Sequence, residues 1–251
     1  NILKNQSTSI TNIAYGNYLL ARYEKNKKNY NKEIEYLIEG HENFFNSRKK
    51  KFELGVKYCF EDVFQISEDV KISNPGAPEE IAVKPIFIIG VPRCGSTLVE
   101  KIIGSGKKLI PMGEETLVFE HFLNKKILEK KSLDIGEAKT VREEVNDIYK
   151  KKGLMLEKSD FTFTDKSLNN FFYLNIIKSL YPNAKIINCN RDVLSSIMSI
   201  FQNNLTELAW THKLENIFKY FDNYFEIIDN FKRANSNFIY ELNFEQLTKE
   251  P

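Results

Sequence analysis

The segment Gly90-Val-Pro-Arg-Cys-Gly-Ser-Thr97 carries the residue types from which an anion site can be built. It follows Ile86-Phe87-Ile88-Ile89, an apolar run typical of a buried strand, and it precedes a stretch with helical spacing that starts near Ser96. A strand, a glycine-containing turn and a helix start direct backbone N–H groups and the positive end of the helix dipole at one place. Gly95 lets the backbone approach an anion closely, and Ser96 and Thr97 add hydroxyl donors. The pattern predicts an anion-binding loop.

The glycine spacing of this segment matches the nucleoside triphosphate loop G-x-x-x-x-G-K-[ST], but the residue types do not. Gly90 and Gly95 are correctly placed, whereas Ser96 stands where that motif has its lysine. Arg93 is the only cation inside the segment. A nucleotide kinase or NTPase is therefore the less favoured alternative. A plain strand-to-helix turn without any ligand is the structural alternative.

A second candidate anchor follows another apolar run, Lys185-Ile-Ile-Asn-Cys-Asn190. Arg191 comes at the end of this predicted strand, where ligands of open α/β sheets bind. Its guanidinium offers a fixed fork of donors to a phosphate. Ser199 lies eight residues further on (199 − 191 = 8), about two turns into the predicted helix. A helix N-cap at Asp192 is the purely structural interpretation of the same residues.

Composition excludes several classes of protein. The 251 residues include 36 Lys+Arg and 34 Asp+Glu, so the net charge of +2 gives no general attraction to nucleic acid. The three cysteines, Cys59, Cys94 and Cys189, lie far apart, and the three histidines are equally scattered. Neither a disulfide framework nor a metal site is predicted. No apolar run approaches the length of a membrane span.

The order of predicted elements divides the chain into three parts. Residues 1–66 show helical spacing interrupted by a polar break near Lys25–Tyr30, which predicts a helical hairpin. Residues 67–84 contain the breaker cluster Ser73–Pro78 and predict a linker. Residues 85–251 alternate strands with helices, including a long helical region from about Glu115 to Gly153 that is interrupted near Ser132–Ile135. This alternation predicts an α/β core with a mostly parallel sheet.

Residues 85–100 resemble the 5′-phosphosulfate loop of sulfotransferases. The similarity is greatest to the tetratricopeptide-linked bacterial sulfotransferases and the protein-tyrosine sulfotransferases, whose loop reads P-R-S-G-T-T-L. This chain has Cys94 for the first serine and Ser96 for the first threonine. The second change keeps a hydroxyl, whereas the first suggests that position 94 contributes mainly its backbone N–H. The resemblance implies a P-loop NTPase-like three-layer α/β sandwich, preceded by a tetratricopeptide-like hairpin.

The resemblance also implies a donor and the residues that bind it. The donor is PAPS, 3′-phosphoadenosine-5′-phosphosulfate, and no metal is required. Binding of the 5′-phosphosulfate is assigned to the loop residues Arg93, Cys94, Gly95, Ser96 and Thr97. Arg191 and Ser199 match the pair that holds the 3′-phosphate. The core is expected to be incomplete beyond Pro251, because the family continues with a segment that closes over the nucleotide.

Two further segments resemble the family's catalytic elements. Met112-Gly-Glu-Glu-Thr116 is similar to the Gly-Glu-Glu-Thr that supplies the base in tyrosine sulfotransferases. The spacing from Arg93 makes Glu114 the expected base (114 − 93 = 21), whereas the order of the letters favours Glu115 as the alternative. Thr164-Asp165-Lys166 resembles the segment whose lysine, with Arg93, stabilises the leaving oxygen. As structural alternatives, both acids begin the next helix and Lys166 is a solvated surface residue.

These features predict a sulfotransferase that moves a sulfuryl group from PAPS to a hydroxyl and releases PAP, the desulfated donor. The acceptor stays open between a tyrosyl peptide, a glycan and a small molecule. A non-enzymatic tetratricopeptide-like module that binds peptides is a further alternative. We expect a cytoplasmic location in a bacterium and no nucleic-acid partner, with an upstream targeting or membrane segment left open. His212 is expected to be structural, because its surroundings match no catalytic motif.

Overall fold

The computed structural model describes residues 8–73, 82–130, 132–155 and 161–249. The α-helices are α1 Ile10–Asn26, α2 Tyr30–Ser47, α3 Lys49–Lys57, α4 Val63–Asp69, α5 Ser96–Gly104, α6 Val118–Lys130, α7 Ala138–Lys151, α8 Leu174–Leu180, α9 Val193–Phe201, α10 Leu214–Ala234 and α11 Phe244–Lys249. The strands are β1 Lys71–Ser73, β2 Ile86–Gly90, β3 Asp134–Glu137, β4 Thr164–Asp165, β5 Lys185–Asn190 and β6 Ile239–Asn243. A π-helical turn covers Tyr58–Asp62, and 3₁₀ turns cover Leu168–Tyr173 and Ala209–His212.

The chain forms two compact units. The helical unit comprises Asn1–Asp62 and Val193–Asn223, and the sheet unit comprises Val63–Asp192 and Tyr224–Pro251. The domain boundaries inferred from the sequence, 1–66, 67–84 and 85–251, stay a prediction. The breaker cluster proposed for the linker lies mostly at residues 74–78, outside the described part of the chain.

The sheet unit contains a four-stranded sheet in the order β4-β2-β5-β6, and every neighbouring pair in it is parallel. Apolar β-branched and aromatic side chains favour a strand that is covered on both faces. Phe87, Ile88 and Ile89 of β2 are accordingly fully buried. The predicted α/β class with a mostly parallel sheet is confirmed.

A second, two-stranded parallel sheet joins β1 to β3. The sequence did not predict these strands: β1 falls in the expected linker, and β3 falls in the interruption expected near Ser132–Ile135. With three and four residues, they are too short for a recognisable alternation. The interruption itself is confirmed, and it separates α6 from α7.

The helical unit begins with a hairpin of α1 and α2. Ser9 caps α1, because its hydroxyl accepts a hydrogen bond from the backbone N–H of Asn12 at 3.3 Å. The polar break predicted near Lys25–Tyr30 is confirmed as the short turn between Asn26 and Tyr30. The two helices approach closely at Gly40, where an added Cβ would lie 3.1 Å from the Tyr18 ring. A core of Ala14, Phe44, Phe45, Phe52 and Ala209 fills this unit.

Candidate functional site

The carboxyl ends of three neighbouring strands define the candidate site in the sheet unit. Because β4, β2 and β5 are parallel and adjacent, their carboxyl ends lie at one edge of the sheet. Lys166 follows β4, the Gly90–Thr97 segment follows β2, and Arg191 follows β5. The structure therefore brings the two predicted anion anchors and the predicted catalytic lysine to the same edge.

The Gly90–Thr97 segment adopts the strand, loop and helix arrangement that the sequence predicts. Arg93 and Gly95 have positive φ angles of 72° and 95°, and Gly95 precedes α5 as its N-cap. Glycine is required at position 95, because an added Cβ would lie 2.2 Å from a ring atom of Phe244. Ser96 is 7% exposed, whereas Arg93 and Thr97 are exposed. The loop thus presents a cation and a hydroxyl to solvent at a helix N-terminus.

Arg191 connects this loop to the end of β5. Its Nη1 donates a hydrogen bond to the backbone carbonyl of Arg93 at 2.9 Å. Its guanidinium also lies over the Phe244 ring, 5.2 Å from the ring centroid, within the range of a cation–π interaction. Both contacts use a rigid, planar donor group, so they fix the orientation of Arg191 against the loop.

Cys94 turns its side chain inward from the loop. Both Cys94 and Cys189 are buried free thiols. A hydrogen bond with Cys189, supported by donors of Ser96, lowers the pKa of the Cys94 thiol. The same pairing, together with burial, raises the pKa of the Cys189 thiol. The Cys94 side chain therefore contacts β5 and the first residue of α5.

The Gly113–Leu117 turn carries both candidate bases. Glu114 and Leu117 each have a φ of 51°, which is uncommon for residues other than glycine. Backbone hydrogen bonds attach this turn to β4: the N–H of Gly113 donates to the carbonyl of Thr164 at 3.0 Å, and the N–H of Lys166 donates to the carbonyl of Glu114 at 2.8 Å. The turn is therefore held beside the strand that ends at Lys166.

Glu115 and Lys166 form the ion pair of this turn. The Lys166 Nζ lies 3.4 Å from the Glu115 Oε1. The lysine side chain is only 7% exposed, whereas the glutamate side chain is 63% exposed. Lys166 is thus a buried cation at the strand end, contrary to the alternative of a solvated surface lysine. The carboxylate beside it is exposed to solvent.

Asp165 lies beneath the same turn and is fully buried. Its Oδ2 accepts from the hydroxyls of Thr116 and Tyr149, both at 2.6 Å. Its Oδ1 accepts from the backbone N–H and the hydroxyl of Ser167, at 2.9 and 2.6 Å. Burial, with the nearby Asp165 carboxylate, raises the pKa of Tyr149 far above its ordinary value, so the phenol stays a proton donor. Asp165 therefore fixes the turn and its neighbours.

Sequence reasoning missed Tyr149 and also Glu100, a buried glutamate of α5 that contacts the Gly113–Leu117 turn. No local signal marks either residue, because their partners lie far away along the chain.

Ser199 lies in α9, which belongs to the helical unit, so its role at the donor site stays a prediction.

Within ranges 8–73, 82–130, 132–155 and 161–249, no group of three or more His, Cys, Asp or Glu side chains could hold a metal ion. Among the helices described for this chain, none is both long enough and apolar enough to cross a membrane.

Comparison with known proteins identifies the family. A model of the sulfotransferase family matches residues 85–251, about two thirds of the chain. The chain belongs to the sulfotransferase family. An uncharacterized protein of Aquifex aeolicus (strain VF5) is 25% identical to this sulfotransferase-family chain over an aligned length of 257 residues, gaps included. The alignment covers 95% of this chain and 33% of that protein. The chain therefore spans about a third of the length of this relative.

Among solved structures, the chain is similar to the crystal structure of sulfotransferase STF1 from Mycobacterium tuberculosis H37Rv. The two share 14% sequence identity with a TM-score of 0.44, and the match covers 98% of this chain and 81% of that chain. The family match includes every predicted site residue of this sulfotransferase-family chain, from Arg93 to Ser199.

Proposed function

We propose that this chain is a PAPS-dependent sulfotransferase that transfers a sulfuryl group to a hydroxyl acceptor and releases PAP. The observation that carries the proposal is the hydrogen bond from Arg191 to the Arg93 carbonyl, because it joins the two predicted anion anchors at one edge of the sheet. A donor with phosphate groups at two positions needs two such anchors. The family match over residues 85–251 supports the same class of reaction.

The donor site is assigned to residues that fit its charge. Arg93, Gly95, Ser96 and Thr97 hold the 5′-phosphosulfate at the N-terminus of α5. The Cys94 N–H donates to the Val91 carbonyl at 3.2 Å, contrary to the expectation that position 94 offers it to the donor. Arg191 holds the 3′-phosphate, and Ser199 is proposed to assist it. Bound PAPS supplies an activated sulfuryl group. The positive φ of Arg93 and Gly95 opens the loop backbone in the manner of other anion-binding loops.

Glu115 is the better candidate for the base. Its carboxylate lies beside the Lys166 ammonium, whereas the Glu114 contacts described above are backbone contacts that hold the turn. In this arrangement Glu115 accepts the proton of the acceptor hydroxyl at a carboxylate oxygen. Lys166, together with Arg93, stabilises negative charge on the leaving oxygen. Such positioned acid–base and cationic groups supply most of the catalysis in transfers of this kind.

Calorimetric titration with PAP, ADP and Mg-ATP tests the proposal. We expect PAP to bind without magnesium at least about tenfold more tightly than ADP, because a 3′-phosphate adds charge-assisted hydrogen bonds worth about 1.5–3 kcal/mol each. Arg191→Ala should weaken PAP roughly 10- to 100-fold and bring it close to ADP. Arg233→Ala, which changes an exposed arginine of α10, is the matched control and should leave PAP affinity unchanged.

Mg-ATP binding as tight as PAP binding would overturn the proposal in favour of a nucleotide kinase or NTPase. Failure of all three nucleotides to bind would favour the peptide-binding module instead. If the chain bound a peptide and Arg93→Ala did not change the peptide affinity, that result would also support the peptide-binding module.

A further inference from the structure

Glu100 is a buried carboxylate that the proposed reaction does not use directly. It lies in the second turn of α5, the helix that begins at the anion-binding loop, and it is 2% exposed. Burial of a carboxylate is costly unless hydrogen-bond donors replace the lost water. The donors around Glu100 therefore indicate what this residue stabilises.

A single oxygen of Glu100 binds two donors from different segments. The Oε1 accepts from the backbone N–H of Glu114 at 3.0 Å and from the hydroxyl of Thr164 at 2.6 Å. One donor belongs to the Gly113–Leu117 turn and the other to β4. Glu100 thus connects the helix of the donor loop to the turn that carries Glu115 and to the strand that leads to Lys166.

The turn that Glu100 contacts has an unfavourable backbone conformation. Non-glycine residues with positive φ, such as Glu114 and Leu117, cost free energy and persist only when their surroundings hold them. The far side of the turn is held by hydrogen bonds from Thr116 to Asp165 and from the Leu117 N–H to the Ser167 hydroxyl at 2.8 Å. On the side of the turn that faces α5, the Glu100 carboxylate accepts a hydrogen bond from the backbone N–H of Glu114.

We propose that Glu100 is a positioning residue, which fixes the distance between the donor loop and Glu115 by holding the Glu114 N–H and the Thr164 hydroxyl on one oxygen. This inference rests on the proposed function. Reacting groups must be held in a narrow range of positions, and a displacement of about 1 Å can lower a rate about 100-fold. Loss of Glu100 should therefore lower turnover while leaving donor affinity nearly unchanged.

Glu100→Ala and Glu100→Gln test the role, with Glu129→Gln on α6 as an exposed control. Turnover is measured as release of PAP from PAPS, with a simple phenol or water as acceptor, and PAP affinity is measured by calorimetry. We expect Glu100→Ala to lower kcat about 10- to 100-fold, with less than about a threefold change in PAP affinity. Glu100→Gln should retain most of kcat, because its amide oxygen can accept both hydrogen bonds.

Two further measurements separate positioning from general destabilisation. Amide hydrogen exchange of the peptide that contains Gly113–Leu117 should become about tenfold faster in Glu100→Ala and stay unchanged in Glu129→Gln. In a double-mutant cycle, Glu100→Ala should have little further effect on kcat once Glu115→Gln is present, because both variants remove the same contribution.

Unchanged exchange of this peptide, or full additivity with Glu115→Gln, would overturn the positioning role. A low kcat in Glu100→Gln equal to that in Glu100→Ala would also contradict it. A wild-type chain that binds no PAP and consumes no PAPS would instead contradict the proposed function. In that case the exchange measurement alone still decides whether Glu100 orders the turn.

Discussion

Buried polar side chains serve different purposes in the two units. In the sheet unit, the carboxylates of Glu100 and Asp165 are buried and accept hydrogen bonds from a turn with two left-handed residues. In the helical unit, His41 and His212 are buried to the same degree, but they stack on phenyl rings and hydrogen-bond to each other, away from any strained turn. The comparison shows that burial of a polar residue does not by itself indicate a functional site. The donors and acceptors that satisfy the residue distinguish the two cases.

The histidine pair is surrounded by phenyl rings. His41 stacks on Phe201 with ring centroids 4.4 Å apart, and His212 stacks on Phe44 and Phe52 at 5.0 and 5.1 Å. Burial lowers the pKa of His41 to about 4. Burial, together with the neighbouring His41 and Arg48, lowers the pKa of His212 to about 3. Both rings are therefore neutral near pH 7, in agreement with the structural role expected for His212.

The hydrogen bonds of the pair determine its tautomers. A carbonyl oxygen only accepts, so the 2.7 Å contact between His41 Nε2 and the Phe201 carbonyl places a proton on that nitrogen. His41 Nδ1 is then the acceptor, and its single lone pair is shared between two neighbouring donors, His212 Nδ1 at 2.9 Å and the Tyr18 hydroxyl at 3.1 Å. Protonation of either ring disrupts this arrangement.

The largest expected effect distinguishes the two candidate bases. Glu115→Gln should lower turnover of PAPS about 10²- to 10⁴-fold, the usual contribution of general base catalysis, whereas Glu114→Gln should lower it less than about tenfold. The reason is that Glu115 has its carboxylate at Lys166, 3.4 Å away. Initial rates with a phenol acceptor near neutral pH measure the difference. A larger loss in Glu114→Gln would move the base to Glu114.

The histidine pair provides the contrasting control for turnover. The double variant His41→Phe/His212→Phe keeps aromatic rings in the core of the helical unit and should leave the rate with PAPS within about twofold near neutral pH. A large loss of turnover in this variant, measured at a temperature well below its unfolding, would show that the histidines contribute more than packing.

The next effect is on stability. Asp165→Ala leaves the Thr116, Tyr149 and Ser167 hydroxyls without their acceptor, so it should lower the free energy of unfolding by about 3–5 kcal/mol. Urea unfolding followed by circular dichroism measures this loss. Asp147→Ala is the matched control: Asp147 is 63% exposed in an ion pair with Lys150, and its loss should cost less than about 0.5 kcal/mol. A cost below about 1 kcal/mol for Asp165→Ala would contradict its structural role.

The sequence predicts the anion-binding loop and its strand and helix because those signals are local. Glycine spacing, an apolar strand and a helix start all lie within residues 85–100, and the structure contains that strand and that helix. From the sequence, spacing favours Glu114 as the base, although the order of the letters points to the next residue. The proposed choice of Glu115 depends on its ion pair with Lys166, a partner 51 residues away.

The burial of the two carboxylates, Glu100 and Asp165, could not be recognised from the sequence, because their hydrogen-bond partners lie far away along the chain. Glu100 contacts Thr164 at a separation of 64 residues, and Asp165 contacts Thr116 at a separation of 49. Burial of a charged group depends on tertiary packing that supplies its donors, and hydrophobic periodicity carries no information about that packing. The short strands β1 and β3 were missed because pairing with each other, and not their own composition, makes them strands.

A third prediction concerns the pH dependence of the helical unit. The pKa of His41 is about 4 in the folded chain, below its ordinary value of 6.5. The unfolded chain therefore binds more protons between these values, so stability is complete above about pH 6.5 and falls as the pH is lowered toward about 4. His41 alone should account for roughly 2 kcal/mol of lost stability between about pH 7 and about pH 4.5.

The variant His41→Phe/His212→Phe isolates this contribution. Carboxylates elsewhere titrate equally in both chains, so the difference between wild type and variant reports the histidine pair. Urea unfolding at several pH values should show the wild type losing several kcal/mol more than the variant on acidification. Equal acid sensitivity of the two chains would contradict the neutral, buried state of the pair.

The smallest expected effect compares one hydroxyl in each unit. Tyr18→Phe removes the hydroxyl that donates to His41 Nδ1 and should cost about 1 kcal/mol near pH 7. Thr116→Val removes the hydroxyl that donates to Asp165 and should cost about 1.5–3 kcal/mol, since its acceptor is a buried carboxylate. Urea unfolding near pH 7 tests the pair. Equal costs of the two variants would remove the distinction between the aromatic cluster of the helical unit and the hydrogen-bonded carboxylate of the sheet unit.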